Sequence, residues 1–321
     1  MQEISSGTKK RRIAPGPKGK FLLGNYKQMR DSHLDLFLHS FHEYGDIVRF
    51  SMGPEVVHLV VHPHDIDYVL RQRSQNFPKS KFNRRLHCAF GTGILTARGD
   101  HWRRQRRMIQ PAFSSDQVVP FSEIVVSETE RSVDRWLRGN GTERPVDLAF
   151  EARLLNLEIV GRSMFGTSLT EDALELDRAF EQILRICTRR IAAPLPIPTF
   201  IPTSDNRKLN KAISFIDQII SRIITERRKR NEDYGDLLSM LISATDPETG
   251  EKMTDTEIRD EVITMFLAGY DSPGTTMAWI WWELARHHEV FEILRGELDS
   301  TLGGRPPTIG DLESMPYTMM V

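Results

Sequence analysis

Polar and apolar positions follow a two-residue alternation only near the beginning of the chain. Residues 33–44 have helical spacing. Ile47–Met52 (IVRFSM) then reads as a short strand, Gly53-Pro54-Glu55 as a turn and Val56–Val61 (VVHLVV) as its hairpin partner. Pro63 opens a helix running to about Arg71, since proline suits the first helical turn. From Arg98 onward the period is mainly helical. Asp116 is placed to cap one long amphipathic helix ending near Gly139. Residues 147–165, 171–191, 205–231 and Asp236–Ala244 give four more, and the run Ala193–Pro198 interrupts them because spaced prolines favour extended backbone. A turn at Asp246–Gly250 precedes the longest helical stretch, from about Asp255 to His287, and residues 289–301 follow. The pattern predicts a mainly α fold with a small β-sheet near the N-terminus. Residues 1–14 read as a disordered tail, and with no composition shift to mark a linker, 15–321 reads as a single domain.

The stretch from Asp255 to His287 is apolar on most sides, which predicts a helix in the middle of the protein. Asp271, Ser272 and Pro273 interrupt it, so it lacks the uninterrupted apolar run of a membrane span. Pro273 has no amide hydrogen and leaves the Gly269 carbonyl without its helical donor. Gly269 and Gly274 leave room beside that point, where Asp271 and Ser272 add a carboxylate and a hydroxyl. These features make either a site for a bound water or small polar ligand, or a bend in a long helix with Asp271 exposed.

Composition narrows the function classes. Lys and Arg total 43 against 44 Asp and Glu, a formal net charge of −1, without the basic excess of a nucleic-acid binder. Lys9-Lys10-Arg11-Arg12 reads as a solvated terminus, and no apolar run near it is long enough for a signal peptide or membrane anchor. Cys88 and Cys187 are far apart and build neither a disulfide framework nor a zinc site, which suits a reducing, cytoplasmic setting. Neither His87 nor His101 has a partner at metal-ligand spacing, so no metal ligand is assigned among the residues of this chain.

A second concentration of chemistry lies at Gly99-Asp100-His101-Trp102-Arg103-Arg104-Gln105-Arg106-Arg107. Trp102 and Arg106 are four residues apart and share one helical face, where an indole N–H and a guanidinium can bind carboxylates. A solvated basic face with a core tryptophan, or a nucleic-acid patch, is the alternative.

Two motifs carry a resemblance. Ala268-Gly269-Tyr270-Asp271-Ser272, with Leu284-Ala285-Arg286-His287 downstream, resembles the central long helix of the cytochrome P-450 family, and Trp102-x-x-x-Arg106 followed by Pro111-Ala112-Phe113-Ser114 resembles that family's propionate-binding helix. The resemblance implies heme b as cofactor, with Trp102, Arg106, Ala268 and Gly269 contributing to its binding. It implies Asp271 and Ser272 as an acid–alcohol pair delivering protons for oxygen activation, with serine at the usual threonine position. It further implies dioxygen and a lipophilic small molecule as substrates, a ferredoxin or flavoprotein reductase as electron donor, and a role for Arg103, Arg104 and Arg107 in docking it. The resemblance runs from about Pro15 to Val321 and approaches, without containing, the family's Glu-x-x-Arg helix and cysteine ligand loop. The expectation is therefore an incomplete P-450 domain, a fragment inactive alone and lacking the axial cysteine. The alternative is a non-catalytic helical protein that binds a ligand or partner.

Overall fold

The computed structural model describes residues 13–140, 145–193, 197–230 and 233–321. The expected tail, apart from residues 13 and 14, and the centre of the proline run lie outside them. The chain forms two compact units, one of residues up to Ser80 with Thr188–Ile197, the other of Lys81–Cys187 with Pro198–Val321. Each is described by itself.

The first unit holds helices α1 (Tyr26–Asp31), α2 (His33–Tyr44) and α3 (Pro63–Asp67), and a two-stranded antiparallel sheet of β1 (Ile47–Met52) and β2 (Glu55–Val60). Met52 pairs with Glu55, so the turn is the two residues Gly53-Pro54, and Gly53 has the φ of +62° that a tight hairpin accepts from glycine. The helix expected from Pro63 to Arg71 is α only to Asp67 and continues as one π-helical turn, Tyr68–Gln72. Val48 and Phe50 are buried, with Phe37 of α2 against Phe50 at 5.8 Å between ring centroids.

Ahead of β1 the chain makes a small loop closed by two bonds, Lys20 N–H to the Gly24 carbonyl (2.9 Å) and Gly24 N–H to the Lys20 carbonyl (2.7 Å). Asn25, fully buried, clamps its base: its Oδ1 accepts from Ser51 N–H at 3.0 Å and its own N–H donates to the Ser51 carbonyl at 2.6 Å. Gly24 has to be glycine, since its φ is +59° and a Cβ would lie 2.1 Å from the Ser51 carbonyl oxygen.

The second unit is helical: α4 (His87–Phe90), α5 (Gly99–Ile109), α6 (Ser115–Val118), α7 (Phe121–Asn140), α8 (Leu148–Phe165), α9 (Ala173–Ala192, whose last turn belongs to the first unit), α10 (Ser204–Arg230), α11 (Leu237–Ser243), α12 (Asp255–Arg286), α13 (His288–Leu302) and α14 (Pro316–Met320). The single helix expected from Asp116 to Gly139 is two, α6 and α7, because Pro120 cannot donate to a preceding turn and starts a new helix instead. Thr254 caps α12 in a reciprocal box: Glu257 N–H donates to its Oγ1 and Glu257 Oε2 accepts from its N–H.

The N-terminal half of α12 is the core of this unit. Ile258, Val262, Ile263, Phe266 and Tyr270 are buried, with Phe266 stacked on Phe165 of α8 (4.2 Å) and Tyr270 on Phe180 of α9 (5.3 Å). The C-terminal half departs from the expectation of a helix buried on most sides: Trp279 and Trp282 remain more than half exposed, since no described element packs over them.

The helix runs unbroken through Pro273. The room expected beside Gly269 and Gly274 is filled by α8: a Cβ on Gly269 would meet Val160 Cγ2 at 2.6 Å, and one on Gly274 would meet Arg153 Cγ at 2.9 Å and Cα at 3.1 Å. The glycines therefore serve close helix packing. Gly274→Ala is expected to lower stability by about 1–3 kcal/mol through overpacking, exceeding the ~1 kcal/mol gain in helix propensity. A higher denaturation midpoint for this variant would contradict it.

Candidate functional site

The sequence-predicted residues on α12 separate into two faces. Gly269 is turned toward α8, while Ala268 and Ser272, one helical turn apart, are both exposed, and Asp271 beside them is half-buried. Ser272 Oγ donates to the Ala268 carbonyl at 2.7 Å, and Thr276 Oγ1 repeats the bond to the Ser272 carbonyl at 2.8 Å. Such bonds to the carbonyl four residues back suit a helix disturbed by proline. With its proton committed to Ala268, the Ser272 hydroxyl presents lone pairs, so toward a ligand it is an acceptor.

Behind this face is a buried polar cluster that sequence reasoning missed. Tyr270 donates its hydroxyl to Asp177 of α9, and Arg153 Nε of α8 reaches the same carboxylate oxygen at 2.9 Å. Burial pushes the Tyr270 hydroxyl well above its ordinary value, with Asp177 adding to the shift, and the bond to Asp177 likewise raises Arg153. The cluster fixes α12 against α8 and α9 next to Asp271. The residue types carried no signal, because Arg153 and Asp177 lie 24 residues apart and Tyr270 a further 93 from Asp177.

On α5 the four arginines divide. Arg103 pairs with Asp100. Arg104 binds Glu257 at the start of α12 (2.6 Å) and the Lys252 carbonyl (3.0 Å). Arg107 Nη2 reaches both oxygens of Asp246, each at 3.1 Å, and Glu248 at 3.0 Å. Arg104 and Arg107 thus fasten α5 to the start of α12 and the turn before it. Arg106 is exposed and makes no ion pair among the described residues; Trp102 is 37% exposed.

Hydrogen bonding from Arg107 holds the buried Asp246 carboxyl below its ordinary range, against the opposing effect of burial. A lowered folded-state value means that this group stabilises the fold above the ordinary carboxylate value, about 4. That contribution is lost as pH falls through the lower folded value. The melting temperature should therefore drop between about pH 4 and more acidic conditions. Arg107→Gln should flatten that acid slope; an unchanged slope would contradict the assignment.

A third arrangement joins α12 to the loop Gly91–Thr96. Asp260 Oδ2 accepts from Thr92 N–H at 2.7 Å, and Glu261 Oε2 from Ile94 N–H at 3.1 Å. A Cβ on Gly91, whose φ is +50°, would lie 2.0 Å from Asp260 Oδ2. Arg259 holds Asp217 of α10 (2.7 Å), the Ala89 carbonyl (3.1 Å) and Asp260 (2.9 Å) together. Phe90, just ahead of this loop, is buried in the core, whereas Phe200 is exposed.

Among the described residues, no group of three His, Cys, Asp or Glu side chains could hold a metal ion. Cys187 is buried in the hydrophobic cluster, and the Cys88 thiol donates to the Arg85 carbonyl. No helix of the described residues is long and apolar enough to cross a membrane.

A family model described as Cytochrome P450 matches residues 14–321. The chain is 34% identical over 286 residues to cyclooctat-9-en-7-ol 5-monooxygenase of Streptomyces melanosporofaciens, covering 88% of the chain and 61% of that protein. It is 30% identical over 311 residues to cyclooctatin synthase of the same organism, covering 96% and 66%. To pentalenene oxygenase of Streptomyces avermitilis it is 31% identical over 283 residues, covering 88% and 62%. The chain thus spans between 61% and 66% of the length of these relatives.

Proposed function

The chain belongs to the cytochrome P450 family, and on that premise we propose that it forms most of the catalytic domain of a heme-dependent monooxygenase acting on a lipophilic small molecule. Two of the relatives are named for cyclooctat-9-en-7-ol and pentalenene, so a cyclic alkene or alkenol is the substrate class we assign. The observation that carries the reading is the open face of α12, where Ala268 leaves space and Ser272, bonded to the Ala268 carbonyl, turns an acceptor outward.

The residues present fit a heme on its distal and propionate sides. Arg106, exposed beside Trp102 on α5 and unengaged by any described carboxylate, is suited to a propionate. Ala268 offers the small side chain that a flat macrocycle requires. Neither cysteine fits as the axial thiolate, since one is core and the other is bonded to a backbone carbonyl. When bound, the heme supplies activation of dioxygen. The chain's own part is to hold and move protons: Ser272 Oγ accepts a hydrogen bond from a proton-carrying group, and Asp271 exchanges protons with solvent. Electrons come from a ferredoxin or flavoprotein reductase.

The holoenzyme, reduced in the presence of a cyclic alkene, is expected to form an oxygenated product with substrate-dependent dioxygen consumption. Heme loading without either would overturn the reading. The 321-residue chain alone is expected to give no thiolate-type carbon monoxide spectrum, as its cysteines are placed.

A further inference from the structure

The turn of α12 that carries Asp271 and Ser272 is short of an internal bond. Pro273 has no amide hydrogen to give to the Gly269 carbonyl, and its ring crowds that carbonyl. A proline inside a helix commonly kinks or breaks it. Yet α12 runs from Asp255 to Arg286 without interruption. Contacts from outside the helix therefore hold this turn.

The holding contacts are buried and bracket the proline. Tyr270, 1% exposed, lies three residues before it and donates its hydroxyl to Asp177 of α9. Gly274 lies directly after it, and the stem of Arg153 takes the place of its missing side chain, with Cγ 2.9 Å from where a Cβ would be. The two ends are joined, because Arg153 Nε reaches the same Asp177 oxygen at 2.9 Å. Tyr270 and Gly274 are four residues apart and share one face of the helix, so Arg153 and Asp177 together span the weakened turn. Asp271 and Ser272 lie inside the bracket, with Ser272 on the opposite face. Packing alone gives no reason for the tyrosine hydroxyl. Phe266, one turn earlier, stacks on Phe165 at 4.2 Å with no polar atom, just as the Tyr270 ring stacks on Phe180 at 5.3 Å. Stacked rings can slide, whereas a directional hydrogen bond fixes the rotation of the helix.

We propose that Tyr270, Asp177 and Arg153 are positioning residues for proton delivery. They brace the turn that Pro273 weakens, and so hold Asp271 and Ser272 in the orientation their chemistry needs. This rests on the proton-delivery role given above to Asp271 and Ser272.

Tyr270→Phe tests it in the holoenzyme, because this variant keeps the ring stack and leaves Arg153 to neutralise Asp177. Amide exchange across Asp271–Thr276 is expected to quicken about tenfold or more, the scale of losing a hydrogen bond to a charged group, and to stay level across Ile258–Phe266. In the same variant more electrons should leave as peroxide, toward the level of Ser272→Ala, while substrate-binding spectra stay unchanged. Pro273→Ala supplies the missing amide. The double variant Tyr270→Phe/Pro273→Ala should therefore match Pro273→Ala alone in both exchange and peroxide yield. Ile258→Val, a core loss at the far end of α12, should leave the peroxide yield at wild type. The proposal is overturned by unchanged exchange across Asp271–Thr276 in Tyr270→Phe, by an equal rise in both halves of α12, or by a defect that Pro273→Ala does not relieve. A wild-type peroxide yield in Tyr270→Phe beside a raised one in Ser272→Ala would refute the positioning role alone. Wild-type turnover and yield in both Ser272→Ala and Asp271→Asn would instead remove the proton-delivery reading, and the positioning role with it.

Discussion

Arg227→Ala is expected to lower the stability of the chain by about 3–5 kcal/mol, the range for removing one partner of a buried ion pair. Arg227 and Asp236 are 7% and 5% exposed and are joined by two bonds, Nη1 to Oδ1 at 2.5 Å and Nη2 to Oδ2 at 2.6 Å. The guanidinium also donates to Ser239 Oγ and to the Phe165 carbonyl, and it lies 4.1 Å from the Tyr234 ring centroid. It therefore joins the end of α8, the last turn of α10 and the start of α11. Its loss leaves the Phe165 carbonyl short of a donor and the Asp236 carboxylate buried without its cation. Asp236 has a second task, since its Oδ1 caps α11 by accepting from Ser239 N–H at 2.9 Å. Asp236→Ala should consequently be at least as damaging as Arg227→Ala, and the double variant less damaging than the two losses added. Urea denaturation checks all three. By contrast Arg138→Ala, which removes an exposed pair with Asp134, should change stability by less than about 1 kcal/mol. Equal midpoints for Arg227→Ala and Arg138→Ala would show that the buried pair is not a stability determinant.

Asp271→Asn, in the holoenzyme, is expected to slow turnover within the ~10²–10⁴-fold range of lost acid–base assistance while substrate-binding spectra stay nearly unchanged. The substitution keeps the size of the side chain and removes its ability to exchange a proton. Ser272→Ala should act differently. It removes the acceptor while leaving Asp271 in place, so electrons are still consumed but more leave as peroxide. Ser272→Thr is the finer test. Thr276 already bonds the carbonyl four residues back, so a threonine hydroxyl is compatible with this helix. A threonine at 272 should keep the bond to Ala268 and improve coupling by restricting the rotamer, unless its methyl collides with the following Pro273. Wild-type turnover and coupling in both Asp271→Asn and Ser272→Ala would reduce Asp271, Ser272 and Pro273 to a structural feature.

What the sequence made legible was local. The hairpin at Ile47–Met52 followed from alternation around Gly53-Pro54, and the start of α12 followed from its apolar run. The bond from Ser272 to Ala268 spans four residues of one helix, so its elements were visible in the motif. Pro120 was equally visible but lost to the amphipathic period on either side of it. The missed features are long-range. Asp260 meets Thr92 across 168 residues, and Arg107 meets Asp246 across 139. No spacing rule connects such positions, and any of the surrounding charged residues would have served as well on composition alone. Gly269 and Gly274 misled for a related reason: a missing side chain can admit a ligand or a neighbouring helix, and only the position of α8 decides between them.

Arg259 couples motions that its neighbours would otherwise make separately. Since one guanidinium bonds Asp217 on α10, the carbonyl before Phe90 and the Asp260 that holds Thr92, the loop and α10 share a fastening. Swinging the loop away exposes a carboxylate and strips the same cation that steadies α10. Amide exchange in the loop and in the part of α10 around Asp217 is therefore expected to respond together, and Arg259→Ala to speed both.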